Sequence, residues 1–304
     1  MPFRLLFVHA HPDDESSKGA AAAAHYLDAG AEVTLVTCTG GEAGEVLNPH
    51  APAVEPEQMA ATRARELANA IAAIGFTRAY QLGYVDSGYH ERAEDVPDGT
   101  FARVPLDEAA RRLAAIVRTE RPHAVVTYPA DGGYPHPDHV ANHAVTMRAL
   151  AIAEEPGDPD VPLDGRAGRP DPRPWRVPKV YASQLFPVER LDALRDAVAA
   201  RDPDSELLTF FEERRKRTSP VVPDTRIECA AHFTRRDTAL RAHVTQIDPT
   251  GRWFQLPRDL EREAYPYEAY TVLRSDVQVR RPEDDLFAGL EPDDDRRADL
   301  GPAT

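Results

Sequence analysis

The chain has 304 residues, enough to bury a full core as one large or two small domains. Its formal charge of −15, from 36 Lys and Arg against 51 Asp and Glu, argues against nucleic acid or an anionic membrane as the main partner. No run approaches the roughly 20 apolar residues of a membrane span, and the N-terminus lacks the parts of a secretory leader, so a small-molecule substrate in a cytoplasmic setting is expected.

The apolar run Leu5-Leu6-Phe7-Val8 predicts a buried strand over Arg4–Val8. It leads directly into His11-Pro12-Asp13-Asp14-Glu15. An imidazole and adjacent carboxylates at a strand end can supply metal ligands and a general base together. Taken alone, the same residues read equally well as a turn in which Asp14 or Ser16 caps the next helix. A helix is expected over Ala20–Ala29, with Gly30 at its C-cap, then a strand over Glu32–Thr37. That strand leads into Cys38, one of only two cysteines with Cys229, and this one reads as a buried thiol rather than half of a disulfide. A helix over Pro56–Ile74 ends at Gly75, a strand follows over Ala79–Leu82, a helix over Leu106–Glu120 and a strand over Ala124–Tyr128. Such alternation predicts βαβ units: an α/β, Rossmann-like, mostly parallel sheet flanked by helices. Right-handed crossovers would bring the ends of the first and fourth strands to one sheet edge. The first turn lacks Gly-x-Gly-x-x-Gly, so a dinucleotide finds no pyrophosphate cradle there.

After the fourth strand come Gly132-Gly133 and Tyr134-Pro135-His136-Pro137-Asp138-His139, then a helical pattern over Val140–Leu150. Alone, His-Pro-Asp-His reads as a helix cap. Paired with the first cluster across two strand-to-helix junctions, it reads as a metal site. A catalytic zinc takes three protein ligands of His or Asp/Glu type and leaves one position for water. Residues 154–178 are rich in Pro, Gly and Asp and read as a surface insertion. A strand over Val180–Leu185 and helices over Leu191–Ala200 and Asp237–Gln246 follow. The expected organisation is a catalytic core over 1–153, the insertion, a C-terminal part of the same domain over 179–290, and a flexible acidic tail over 291–304. The C-terminal part is expected to lie over the sheet edge and complete the pocket.

Ala10-His11-Pro12-Asp13-Asp14-Glu15 together with His136-Pro137-Asp138-His139 resembles the zinc-dependent deacetylase family named for the phosphatidylinositol glycan class L enzyme, also called LmbE-like. Its members remove acyl groups from N-acylated glucosamine. The likeness extends through Ser16-Ser17-Lys18-Gly19, Thr37-Cys38-Thr39-Gly40-Gly41-Glu42, Leu240–Pro249 and Pro282–Gly289, and is strongest to the mycothiol branch, on its amidase side. The resemblance implies one zinc per chain held by His11, Asp14 and His139, although Fe(II) also suits His/Asp ligation. It implies Asp13 as general base and His136 as the group that stabilises the oxyanion or protonates the leaving amine. Asp138 would orient or charge-balance a histidine. A ligating carboxylate gives up basicity to the metal, so its unligated neighbour is the better proton acceptor.

Tyr134 is a candidate oxyanion donor, with packing under its loop as the plainer role. Arg63 and Asp86 match positions that face the pseudo-disaccharide in the related deacetylases; by default the first is a solvated charge and the second a turn residue. Lys18 stands where the amidases carry lysine. His243 and Gln246, one helical turn apart, approach the site from the C-terminal part or form a half-buried polar pair. Glu42 and Glu45 are candidates for the substrate entrance. His9 shares a strand face with His11, and the remaining histidines have no partner motif.

The implied reaction cleaves the amide between an S-substituted cysteinyl group and glucosaminyl-inositol, releasing a mercapturic acid in a detoxification step. Its rivals are deacetylation of N-acetylglucosaminyl-inositol, an amidase of specialised metabolism and, in another class, a non-catalytic carbohydrate-binding module. Nothing in the sequence speaks to the oligomeric state.

Overall fold

A computed structural model describes residues 1–158, 160, 161, 163, 170–218 and 220–292. The first half runs β1 (Arg4–His9), α1 (Asp14–Ser17), α2 (Ala20–Asp28), β2 (Glu32–Thr39), α3 (Pro56–Ile74), β3 (Arg78–Tyr84), α4 (Leu106–Glu120), β4 (Ala124–Thr127) and α5 (Pro137–Ala153). The second half runs β5 (Lys179–Gln184), α6 (Val188–Arg201), α7 (Leu207–Arg217), β6 (Thr225–Glu228), α8 (Phe233–Ala242), α9 (Arg252–Gln255), α10 (Arg258–Ala264) and β7 (Tyr267–Ser275). All seven strands form one sheet in the order β3-β2-β1-β4-β5-β7-β6. The first five strands are mutually parallel, and β7 runs antiparallel to both β5 and β6.

The parallel strands are continuous apolar runs because helices cover both faces. One face packs α4 and α5 through Leu113, Ile116, Val145 and Leu150. The other packs α2 and α3 through Ala22, Ala23, Leu67 and Ile74. A third cluster stands apart from the sheet core. There α6, α7 and α10 pack around Leu191, Leu194, Phe211 and Leu260. Among the described residues, no helix is long and apolar enough to cross a membrane.

The structure departs from the sequence reading mainly after residue 153. The C-terminal part does more than lie over an edge: β7 and β6 extend the sheet itself. β7 pairs with β5 about ninety positions away, as in Ala182 opposite Thr271, so its role is invisible to a local window. The 154–178 segment is not wholly a surface excursion. Trp175 is 1% exposed and donates its indole N–H to Pro122 O, with Leu163 also buried. The helix expected over Asp237–Gln246 starts a turn earlier, because Phe233 buries against Ala21 and Cys229. His243 therefore sits at its C-cap and Gln246 in the turn beyond it. Most of the acidic tail, 293–304, lies outside the described residues.

Candidate metal centre

β1 has β2 on one side and β4 on the other, so the connections reverse direction across the sheet at β1 and β4. That switch point is where open α/β sheets bind ligands. His11 and Asp14 leave β1, and His136 to His139 open α5 after β4. His11, Asp14 and His139 are all buried, and their ligand atoms lie within 4.8 Å of one another.

The imidazoles are held in fixed orientations by what their other nitrogens touch. His139 Nδ1 donates to Gly132 O at 3.2 Å, which leaves Nε2 without its proton. That Nε2 is buried, makes no hydrogen bond, and faces Asp14 Oδ2 at 3.3 Å. A buried imidazole nitrogen with no hydrogen bond, beside a carboxylate, fits a metal ligand. Gly132 has φ +75, and a Cβ there would lie 2.7 Å from His139 Cβ, so the turn that supplies the acceptor needs glycine. Tyr128 stacks on the His139 ring with centroids 4.4 Å apart. His11 Nε2 lies 3.1 Å from Asp138 Oδ2 and 3.5 Å from Asp86 Oδ1, which turns Nδ1 toward Asp14 Oδ2 at 3.5 Å. A carboxylate behind a ligating histidine sets its tautomer and raises its basicity.

Charge completes the case. Burial works against a charged His11, yet Asp138, Asp14 and Asp86 together hold its pKa well above the ordinary value. Burial alone would raise Asp14, but Lys18, His139 and His11 drive it well below the usual carboxylate range. Buried carboxylates grouped around one imidazole make a site suited to a cation. His136 goes the other way: burial, with the imidazoles of His11 and His139 alongside, pushes it down to about 4. It is therefore neutral near pH 7, with Nδ1 accepting from Asp138 N at 3.1 Å.

Asp13 is held differently. It is a non-glycine residue at φ 98, a left-handed conformation that costs energy and persists only when neighbours impose it. Its N–H donates to Glu15 Oε2 at 2.8 Å, and Glu15 Oε1 accepts from His243 Nε2 at 2.7 Å. The Arg63 guanidinium donates to Pro12 O and, at 3.0 Å, to Asp13 Oδ2. Burial and the neighbouring Asp14 raise the Asp13 pKa against the pull of Arg63, which makes this carboxylate the more basic of the pair.

The cluster thus gathers His11, Asp13, Asp14, Asp86, His136, Asp138 and His139. Tyr134 stands over it, 40% exposed, with its ring centroid 4.6 Å from that of His139. Several expectations change. Neither Asp14 nor Ser16 caps a helix; Asp13 is the N-cap residue of α1 and gives no side-chain cap bond. Lys18 is held on Asp14 Oδ1 rather than extended toward a ligand. Arg63 is 2% exposed, so it is no solvated charge, and it braces Asp13. Glu42 Oε1 accepts from Asp86 N at 3.0 Å and so steadies that loop. His243 is fully buried behind Glu15, away from any open cleft, which corrects its expected place against the substrate. Glu45 is exposed, and its carbonyl accepts from Gln246 Nε2. His9 is buried beside the Tyr128 hydroxyl at 3.2 Å and pushed by burial down to about 4, hence uncharged. Sequence reasoning missed Tyr128, Gly132 and Glu15. Tyr128 ended a strand and Gly132 a turn, both local signals, whereas the partner of Glu15 is 228 positions away.

Three comparisons bear on this arrangement. A family profile described as PIG-L, GlcNAc-PI de-N-acetylase, matches residues 6–150. A mycothiol S-conjugate amidase from Streptomyces coelicolor is 41% identical, over 94% of this chain and 97% of its own. A 1D-myo-inositol 2-acetamido-2-deoxy-alpha-D-glucopyranoside deacetylase from Streptomyces avermitilis is 37% identical, over 95% of this chain and 98% of its own. In fold, the N,N'-diacetylchitobiose deacetylase from Pyrococcus horikoshii superposes with a TM-score of 0.56 at 18% identity, over 89% of this chain and 83% of that one.

Proposed function

This chain belongs to the PIG-L family of amide-cleaving hydrolases, and from that premise we propose that it is a zinc-dependent amidase acting on mycothiol S-conjugates. The observation that carries the choice is the 41% identity to a mycothiol S-conjugate amidase along nearly the whole of both chains. The bond cut is the amide joining an S-substituted cysteinyl group to glucosaminyl-inositol. The products are a mercapturic acid and the free amine, a detoxification step carried out in the cytoplasm.

His11 Nδ1, Asp14 Oδ2 and His139 Nε2 hold the metal, supported by the bare His139 nitrogen and the surplus of buried carboxylate. When bound, zinc supplies Lewis acidity to water and to the amide carbonyl. Asp13, raised in pKa and fixed by Arg63 and Glu15, takes the proton from the attacking water. His136, neutral and with Nδ1 accepting from Asp138 N, donates its Nε2–H to the developing oxyanion, and the proton that Asp13 took from water passes on to the departing amine. Asp138 holds His11 in the tautomer that leaves Nδ1 open. The Tyr134 hydroxyl donates to the carbonyl oxygen as charge builds there, and burial keeps this phenol protonated across the working range. Asp86, steadied by Glu42 and close to His11, would meet a sugar hydroxyl of the substrate, and Lys18 pairs with Asp14 while lining the adjoining cleft.

A side-by-side measurement of kcat/KM tests the substrate. The S-conjugate of mycothiol should exceed N-acetylglucosaminyl-inositol by at least about tenfold, on the order of 1.4 kcal/mol of transition-state binding. The reverse order would make the chain a deacetylase of the kind found in Streptomyces avermitilis.

A further inference from the structure

The cap formed by α6, α7, α9 and α10 encloses space that the metal centre does not use. A cleft lined by Lys18, Tyr128, Tyr134, Leu185, Phe186 and Arg214 adjoins the centre. Phe186 and Arg214 also line a second, more apolar cavity walled by Leu194, Leu207, Phe210, Phe211 and Trp253. The two spaces thus share Phe186 and Arg214 as walls, and the second is the aromatic one.

Arginines line this second cavity in two electrostatic conditions. Arg190, Arg236 and Arg258 are neutralised by Glu261, at 3.0, 2.8 and 2.8 Å. Asp237 pairs with two of them as well. Arg214 and Arg252 have no carboxylate partner among the described residues. Instead Arg214 lies 4.5 Å over the Phe186 ring and Arg252 5.0 Å over the Phe210 ring. Arg214 Nε is buried and makes no hydrogen bond. In a chain with 51 acidic residues against 36 basic ones, two arginines left on aromatic faces at one cavity have a charge to offer.

We propose that this cavity receives the substituent on the acyl side of the scissile amide and favours an aryl or alkyl group that ends in a carboxylate. The inference rests on the S-conjugate reading, which places a large substituent on that side. Phe186, Phe210 and Trp253 take the apolar body, where stacked and edge-on contacts add to simple burial. Arg214 and Arg252 take the anion, since a planar guanidinium pairs with a carboxylate through two parallel hydrogen bonds.

Calorimetric binding of two probes to the zinc-loaded protein tests this: S-benzyl-N-acetylcysteine and S-(4-carboxybenzyl)-N-acetylcysteine. The carboxylate probe should bind about tenfold tighter. The doubly substituted Arg214→Gln, Arg252→Gln protein should lose that preference, and Phe210→Ala should weaken both probes by about tenfold. A partly unfolded variant lowers the competent fraction for both probes alike, so the ratio reports the cavity alone. Equal binding of the two probes to the unsubstituted protein, or an unchanged ratio in the double variant, overturns the proposal. Failure of the reaction itself reads differently: S-conjugates would go uncleaved while the carboxylate preference persisted.

Discussion

The metal centre and the helical cap are built on opposite plans. At the centre, the key side chains come from two short segments, 11–14 and 136–139, delivered by adjacent parallel strands whose ends the fold must bring together. Every imidazole there is fixed in orientation by Gly132 O, Asp138 or a backbone N–H. In the cap, the walls come from four helices spread over residues 188–264, and two arginines lie over aromatic rings with no carboxylate partner among the described residues. The difference teaches where tolerance lies. A centre that must hold donors within tenths of an ångström is over-determined, whereas a cavity that must only accept a shape and a charge is not.

The contrast breaks most sharply at the centre. His139→Ala removes the nitrogen proposed to hold the metal, and on that proposal the protein should lose most of its zinc and at least about 10³-fold in kcat/KM. Elemental analysis reads the metal directly, and full retention would take His139 out of the ligand set. Next comes Asp13→Asn, which should keep the metal but lower kcat by about 10²- to 10⁴-fold, the range of a lost general base. Unchanged turnover with metal in place would end that assignment.

A smaller effect is expected one contact further out. His243→Ala leaves Glu15 without its 2.7 Å partner, loosening the carboxylate that holds the strained Asp13 backbone. We expect kcat to fall by roughly tenfold with KM little changed, because His243 is fully buried behind Glu15. A rise in KM alone would instead put His243 against the substrate.

The least dramatic test belongs to the cap and uses acid. Burial works against a charged Glu261, but Arg236, Arg190 and Arg258 bring its pKa down to about 2. A depressed carboxylate stabilises the fold fully above its unfolded value near 4.5, and that contribution is lost as pH falls toward 2. The shift corresponds to stability on the order of 3 kcal/mol. The thermal midpoint should therefore drop between pH 4.5 and 2, and Glu261→Gln should flatten that drop while lowering the midpoint at pH 7. An equally steep acid drop in the variant would show that the carboxylates of the centre carry it instead.

Much of the fold was legible because its first half is local. The helices over 56–74 and 106–120 coincide with their expected bounds, and the first four strands agree to within two residues. Helical periodicity and apolar runs are properties of a short window, and the βαβ rule then leaves little choice about which strand ends meet. The candidate ligands were legible for the same reason, since His11 and Asp14 stand three residues apart in one motif and His139 closes the other. The antiparallel β7, the braced Arg63 and the buried His243 were not, since each acquires its role from a partner dozens to hundreds of positions away.

By itself, then, the amino-acid order determined the βα alternation, the switch point and the two clusters of ligand-type residues placed there. Only the tertiary structure decided how each histidine is oriented, that Asp13 is strained and braced while Asp14 is shared between Lys18 and the histidines, and that a cap with two arginines on aromatic rings stands beside the centre. The reason is physical. Backbone preference acts between neighbours in sequence, whereas protonation, tautomer and charge balance depend on groups within about 4 Å in space, wherever in the chain they originate.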